Sequence, residues 1–139
     1  MRTLLTLLLG CAPLFLGGCG GLVKGKAAAE TAIARFHDLY SQGKLDEIWK
    51  ESHPKFKSAS KKEKYDEFMG AVQRKLGKVT STSNAGWKVK SFNLTTTVLM
   101  NQKTVFEKGE GTESFTFQMD GDKAVLVGYN IQSMDLITK

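Results

Sequence analysis

Residues 112–131 read TESFTFQMDGDKAVLVGYNI, and this pattern decides the fold. Phe115, Phe117 and Met119 alternate with polar residues, and Val125, Val127, Tyr129 and Ile131 alternate again. A period of two marks strands with one buried face. The intervening Asp120-Gly121-Asp122-Lys123 supplies the positive φ angles of a tight hairpin, so the two runs pair antiparallel.

Moving toward the amino terminus, Lys108 to Gly111 (KGEG) breaks the chain. Before it, Leu94, Thr96, Val98 and Met100 share one face of a long strand running to Phe106, and Trp87 and Val89 alternate with lysines ahead of them. The parity shift near Ser91-Phe92 predicts a bulge.

Upstream of Gly77 the period is helical. Ser60-Lys61-Lys62-Glu63 has the spacing of a capping box, and Tyr65, Phe68, Met69, Val72 and Leu76 follow as one stripe closed by Gly77. An earlier helix carries Ala29, Ile33, Phe36 and Tyr40 at spacings of three and four and ends near Gly43. Between them LDEIWKES forms a short helix that stops at His53-Pro54, because the residue before proline is pushed out of the helical region.

Helices first and a meander second predict an α+β domain over residues 27–139, with the helices packed on one face of a curved antiparallel sheet of about four strands. No repeat, low-complexity tract or second domain is visible.

The first residues carry an address. Arg2, an apolar run from Leu4 to Leu16 and Gly17-Gly18 make residues 1–18 a secretory signal peptide. The run is too short to span a bilayer, which takes roughly 20 residues. Leu16-Gly17-Gly18-Cys19 looks like a bacterial lipobox, in which the cysteine thiol is acylated and the chain is cut ahead of it. The earlier match at Cys11 would leave too little apolar run before the cut.

Cleavage before Cys19 would leave residues 19–139, 121 in all, a length that suits one domain. Its single cysteine would be lipidated, with no thiol left for a disulfide or for nucleophilic chemistry. The lipobox resemblance implies a bacterial cell-envelope lipoprotein. Gly20 stands where an aspartate would retain it at the inner membrane, which points to the periplasmic face of the outer membrane. Residues 19–26 read as the lipidated cysteine and a flexible glycine-bearing tether.

Three segments carry a further resemblance: residues 32–56 (AIARFHDLYSQGKLDEIWKESHPKF), 65–79 (YDEFMGAVQRKLGKV) and 104–131 (TVFEKGEGTESFTFQMDGDKAVLVGYNI). Together they resemble a family of small bacterial exported domains of unknown function with a cystatin-like or NTF2-like fold. The marks are Trp49, Leu76-Gly77, Phe106 with Glu113 flanking a hairpin, and Gly128-Tyr129. Tyr65 stands where that family tends to carry tryptophan, and Thr80 to Ser83 where an arginine usually follows Leu-Gly. The resemblance implies a fold and a location, and brings no established activity.

Candidate chemistry is sparse. His37 and His53 form no two-ligand helical pair with another histidine or cysteine, so no metal site is expected. His37 reads as a structural or surface residue near the core edge, and His53 as a turn residue. No GxSxG, phosphate loop or Cys/His pair is present, and no cofactor is implied.

Glu113 stands out because strand parity puts it on the face of Phe115 and Phe117, where an unpaired acid is costly. In a cone-shaped domain it could serve as a general base or hold a small ligand, with Tyr129 and Tyr40 as neighbouring hydroxyls. The reading preferred on sequence grounds puts it at the start of its strand, escaping to the sheet edge to pair with Lys103 or Lys108.

Charge is uneven: fifteen Lys and Arg oppose eight Asp and Glu over residues 24–90, and four oppose six over residues 91–139. Lys55, Lys57, Lys61, Lys62 and Lys64 form a basic cluster able to face anionic lipid headgroups. Nucleic acid is a poor partner for an exported chain whose lysines lack regularly interleaved aromatics. The expected role is a non-enzymatic, membrane-tethered binding domain that engages another envelope protein or a small apolar ligand, the alternative being an isomerase-type pocket at Glu113.

Overall fold

A computed structural model describes residues 20–138. Residues 1–18, expected to be a signal peptide, and Cys19 lie outside the described residues. Helices α1 (Gly20–Ser41), α2 (Leu45–Glu51), α3 (Pro54–Ala59) and α4 (Lys62–Leu76) precede strands β1 (Val79–Phe92), β2 (Thr95–Phe106), β3 (Gly109–Asp120) and β4 (Lys123–Gln132), and a one-turn helix α5 (Met134–Thr138) follows. The strands form one antiparallel meander in the order β1-β2-β3-β4. The arrangement is the expected α+β fold, with the helices on one face of a curved sheet.

The core lies between that face and the helices. Ala29, Ile33, Phe36 and Tyr40 of α1 and Tyr65, Met69, Val72 and Leu76 of α4 cover Val98, Met100, Phe106, Phe115 and Phe117. Phe36 meets Phe115 edge-on at 5.0 Å between ring centroids. Tyr40 meets Phe106 at 5.9 Å farther along. α1 therefore runs along β2, from the Val98 level to the Phe106 level.

Several local expectations are corrected. Residues 20–26 form no tether: α1 begins at Gly20, and Gly25 sits so close to the sheet that a Cβ there would lie 3.3 Å from Val98 Cγ2 and 3.7 Å from Val89 Cγ2. A side chain there would make Val98 give by a few tenths of an ångström. Ser60 does not cap α4, whose N-cap is Lys61 without a side-chain bond; the Ser60 hydroxyl turns instead to the Lys61 carbonyl. Pro54 both ends the α2 segment and starts α3, where its missing N–H costs nothing.

The parity shift at Ser91-Phe92 is a hairpin and no bulge. β1 and β2 join through Asn93-Leu94, with φ of 47° and 63°, so Leu94 leaves the inner face and is fully exposed at the tip. Conversely, β4 does carry a bulge: Phe117 pairs with Leu126 and Thr116 with Gly128. Leu126 is therefore buried where alternation predicts Val125 and Val127. Phe68, expected in the α4 stripe, is partly exposed, although its ring stays 6.3 Å from Tyr129.

Candidate functional site

Glu113 is 1% exposed and sits in the middle of the core face. β3 fixes its direction: Phe115 and Phe117, two and four residues on, point the same way, and the register sets Glu113 opposite Gln102 on β2 and Ile131 on β4. Pairing with Lys103 or Lys108 at the sheet edge does not occur. The physical reason is the donor set supplied by the inner face.

His37 Nε2 lies 2.7 Å from Glu113 Oε1, and with the carboxylate purely an acceptor the proton is on the imidazole nitrogen. Thr104 Oγ1 donates to the same oxygen through a short bond. Tyr129 Oη donates to Oε2 at 2.7 Å. Three donors from α1, β2 and β4 thus close on one carboxylate, and no buried side-chain nitrogen or oxygen among the described residues lacks a partner.

Behind Thr104 the donors line up in one direction. Thr104 spends its hydroxyl hydrogen on Glu113, so the Thr82 hydroxyl, 2.8 Å away, donates to Thr104. Gln102 Nε2 donates to Thr82 at 3.2 Å, and Asn84 Nδ2 donates to Gln102 Oε1 at 3.1 Å. Aligned bonds of this kind polarise one another. The chain runs from the exposed edge strand β1 to the buried carboxylate.

Tyr129 is held protonated well above the ordinary tyrosine range, first by burial and then by the charge and hydrogen bond of Glu113. Tyr40 is raised too, again mainly by burial, but its hydroxyl donates to the Gly77 carbonyl at 2.9 Å rather than to Glu113. Of the two tyrosines expected beside Glu113, one is its partner and the other clasps the end of α4.

Sequence reasoning missed His37 and Thr104 as partners. The signal was available in β2, where Gln102 and Thr104 occupy the inner-face positions between Met100 and Phe106. Two polar residues in an apolar row imply a polar counterpart opposite. His37 likewise follows Ile33 by four residues on the buried side of α1.

His53 accepts from the Lys55 backbone N–H at 3.0 Å and caps α3. Among the described residues no three His, Cys, Asp or Glu side chains come together as a metal site. The basic cluster is partly neutralised: Lys62 bridges Asp46 at 2.7 Å and Asp66 at 2.8 Å, and Lys64 pairs with Glu67 at 3.0 Å. Lys55 reaches Gln118, and Lys57 donates to the Lys50 carbonyl. Lys61, the fifth member, is exposed at the cap of α4.

An open groove of about 660 Å³ lies between α1, α2 and the start of β4. Phe36, Ile48, Phe117 and Leu126 form its floor, Ala28 and Ala32 one wall, and Arg35, Glu51, Asp122 and Lys123 its rim. Arg35 is already bound to Glu51 at 2.6 Å. A second depression, of about 670 Å³, is lined by charged residues of both signs, Arg35 and Lys44 with Asp38, Asp46, Glu47 and Asp66.

Compared with protein-family models, curated proteins and solved structures, the chain matches none.

Proposed function

We propose that this protein is a non-enzymatic binding domain of the bacterial cell envelope, lipidated at Cys19 on the periplasmic face of the outer membrane, which holds a small apolar ligand in the groove between α1 and β4. The observation that carries the binding role is the contrast between the two candidate places. Glu113 is closed off and has both oxygens taken by the protein's own donors. The groove is open, has an apolar floor, and falls within the roughly 300–1,000 Å³ of small-molecule sites.

The lipobox ending at Cys19 supports the address. A triacylated terminus would hold the domain stably, since two lipid signals already do so. The cystatin-like or NTF2-like resemblance fits the same reading, because helices laid on a curved sheet leave a cleft at their margin.

The test is a titration of the purified protein with a fluorescent medium-chain fatty acid, beside Ala32→Phe, which fills one wall of the groove. Saturable binding that Ala32→Phe weakens tenfold or more, with the melting transition kept, supports the reading. Equal binding by both proteins, or none by the parent, contradicts it.

A further inference from the structure

The two ends of the sheet differ. Because the meander is antiparallel, the β1–β2 turn at Asn93-Leu94 and the β3–β4 turn at Gly121-Asp122 share one end, and the β2–β3 turn at Glu107-Lys108 lies at the other. α1 starts at the first of these ends. Gly25 rests on Val89 and Val98, three residues or about 10 Å from the hairpin tip, and Lys24 pairs with Asp122 at 3.2 Å. Going back from Gly25, α1 climbs toward the tip, and Gly20 is about 7.5 Å farther along the helix axis.

Large apolar side chains crowd this end without cover. Phe92 is 78% exposed and Leu94 fully exposed on the hairpin, and Leu22 and Val23 in the first turns of α1 are exposed as well. Lys88 and Lys90 stand solvent-exposed on β1 just below the tip. Leu94 also holds φ of 63°, a left-handed conformation in which its Cβ crowds the following carbonyl oxygen. Strain of this kind concentrates at functional positions, and here it presents leucine outward at a turn where glycine is the ordinary choice.

We infer that this end is a bilayer-docking edge: Phe92 and Leu94, with Leu22 and Val23, enter the apolar margin of the leaflet while Lys88 and Lys90 meet its anionic headgroups. The inference rests in part on the lipid anchor at Cys19, the residue immediately before Gly20, which brings acyl chains to the same end of the domain. α1 begins at Gly20, one position after that cysteine in the sequence. The protein is then seated in one orientation, with the β2–β3 turn pointing away from the membrane.

The test uses the full chain processed by its native host and reconstituted in phosphatidylethanolamine/phosphatidylglycerol vesicles containing brominated lipid. Tryptophan emission is compared in Phe92→Trp, in Val105→Trp near the far end of β2, and in the parent. Val105 is exposed and ten residues along the strand from Thr95, about 33 Å. Quenching of the added tryptophan by twofold or more in Phe92→Trp, with none in Val105→Trp, is the expected result. Equal quenching at both positions, or at neither, overturns the docking edge.

Intact mass reports the anchor separately. A lipidated chain whose Phe92→Trp stays unquenched overturns the docking edge and leaves the anchor standing. An unlipidated chain that is still quenched at Phe92→Trp alone removes the anchor and sustains the edge. Both substitutions lie at exposed positions, and an unchanged melting transition verifies the fold in each.

Discussion

His37 Nε2 donates to Glu113 Oε1 at 2.7 Å across 76 positions of sequence, and this bond ties the first helix to the third strand at the centre of the core. Thr104 and Tyr129 complete the set, so the carboxylate joins α1, β2, β3 and β4 at one point. A buried acid that would otherwise oppose folding becomes the place where the layers are registered on one another. Such a group is costly to disturb because its partners are buried as well.

The relay behind Thr104 predicts a graded response. Thr104→Val keeps the shape, removes the donor to Glu113 and leaves Thr82 without its acceptor, at a cost of about 1–3 kcal/mol. Asn84→Ala, at the exposed outer end, loses its bonds to Gln102 and Gly86 where water can replace them, and should cost less, about 0.5–1 kcal/mol. Urea unfolding of the two variants measures the difference, and equal losses would contradict a gradient toward the carboxylate.

The tyrosines predict the alkaline limit. All three in the chain, Tyr40, Tyr65 and Tyr129, are raised in the folded state, with burial as the leading cause of each. A group raised on folding contributes stability that is fully present below its unfolded value, near 10 for tyrosine, and lost as pH rises through the folded value. Stability should therefore fall from about pH 10 upward. Tyrosinate absorbance near 295 nm should appear only with unfolding, and a smooth titration of the native protein near pH 10 would refute this.

The hairpin predicts an opposition between stability and membrane contact. Leu94→Gly relieves the left-handed strain at the second turn position and should raise stability by about 1 kcal/mol, a few degrees in Tm. Thermal unfolding in detergent-free and vesicle-bound samples measures it. A lower Tm in both would show that Leu94 packs in a way its full exposure does not reveal.

Gly77 predicts a loss in the other direction. With φ of 76°, and with Glu107 Cβ only 3.1 Å from where a new Cβ would stand, Gly77→Ala combines backbone strain with a contact that must shift. The expected cost is about 1–3 kcal/mol, read by chemical denaturation. An unchanged midpoint would mean that the α4–β1 connection relaxes freely.

The architecture was legible because its periods are clean. The switch at Gly77 from 3.6 to 2 separates helices from sheet, and Asp120-Gly121 marks one hairpin openly. The other hairpin was hidden, because Asn93-Leu94 puts a branched apolar residue where turn chemistry predicts glycine, and Leu94 then counts as the start of an inner-face row. The glycines of residues 20–26 suggest a tether, but α1 begins there and Gly25 lies close on β1 and β2.

At the site, parity placed Glu113 on the core face, and general physics then argued for its escape to the edge. That argument failed for want of partners, which lie 76 and 9 positions before it and 16 after it, at distances no local pattern connects. The groove was beyond sequence reasoning too. It depends on the β4 bulge that turns Leu126 inward and on the placing of α2 beside α1.

The most direct test of the central claim, that Glu113 organises the fold while binding takes place elsewhere, is to measure thermal unfolding and fatty-acid affinity together in Glu113→Gln. All three partners donate to the carboxylate, so the amide loses the charge that strengthens these bonds and makes the Tyr129 hydroxyl turn from donating to accepting. The predicted cost is about 2–4 kcal/mol, a Tm lower by roughly 10 °C, with Kd for the groove ligand unchanged at temperatures where the variant is folded. An unaltered Tm with ligand binding abolished would contradict the account and make Glu113 the binding site itself.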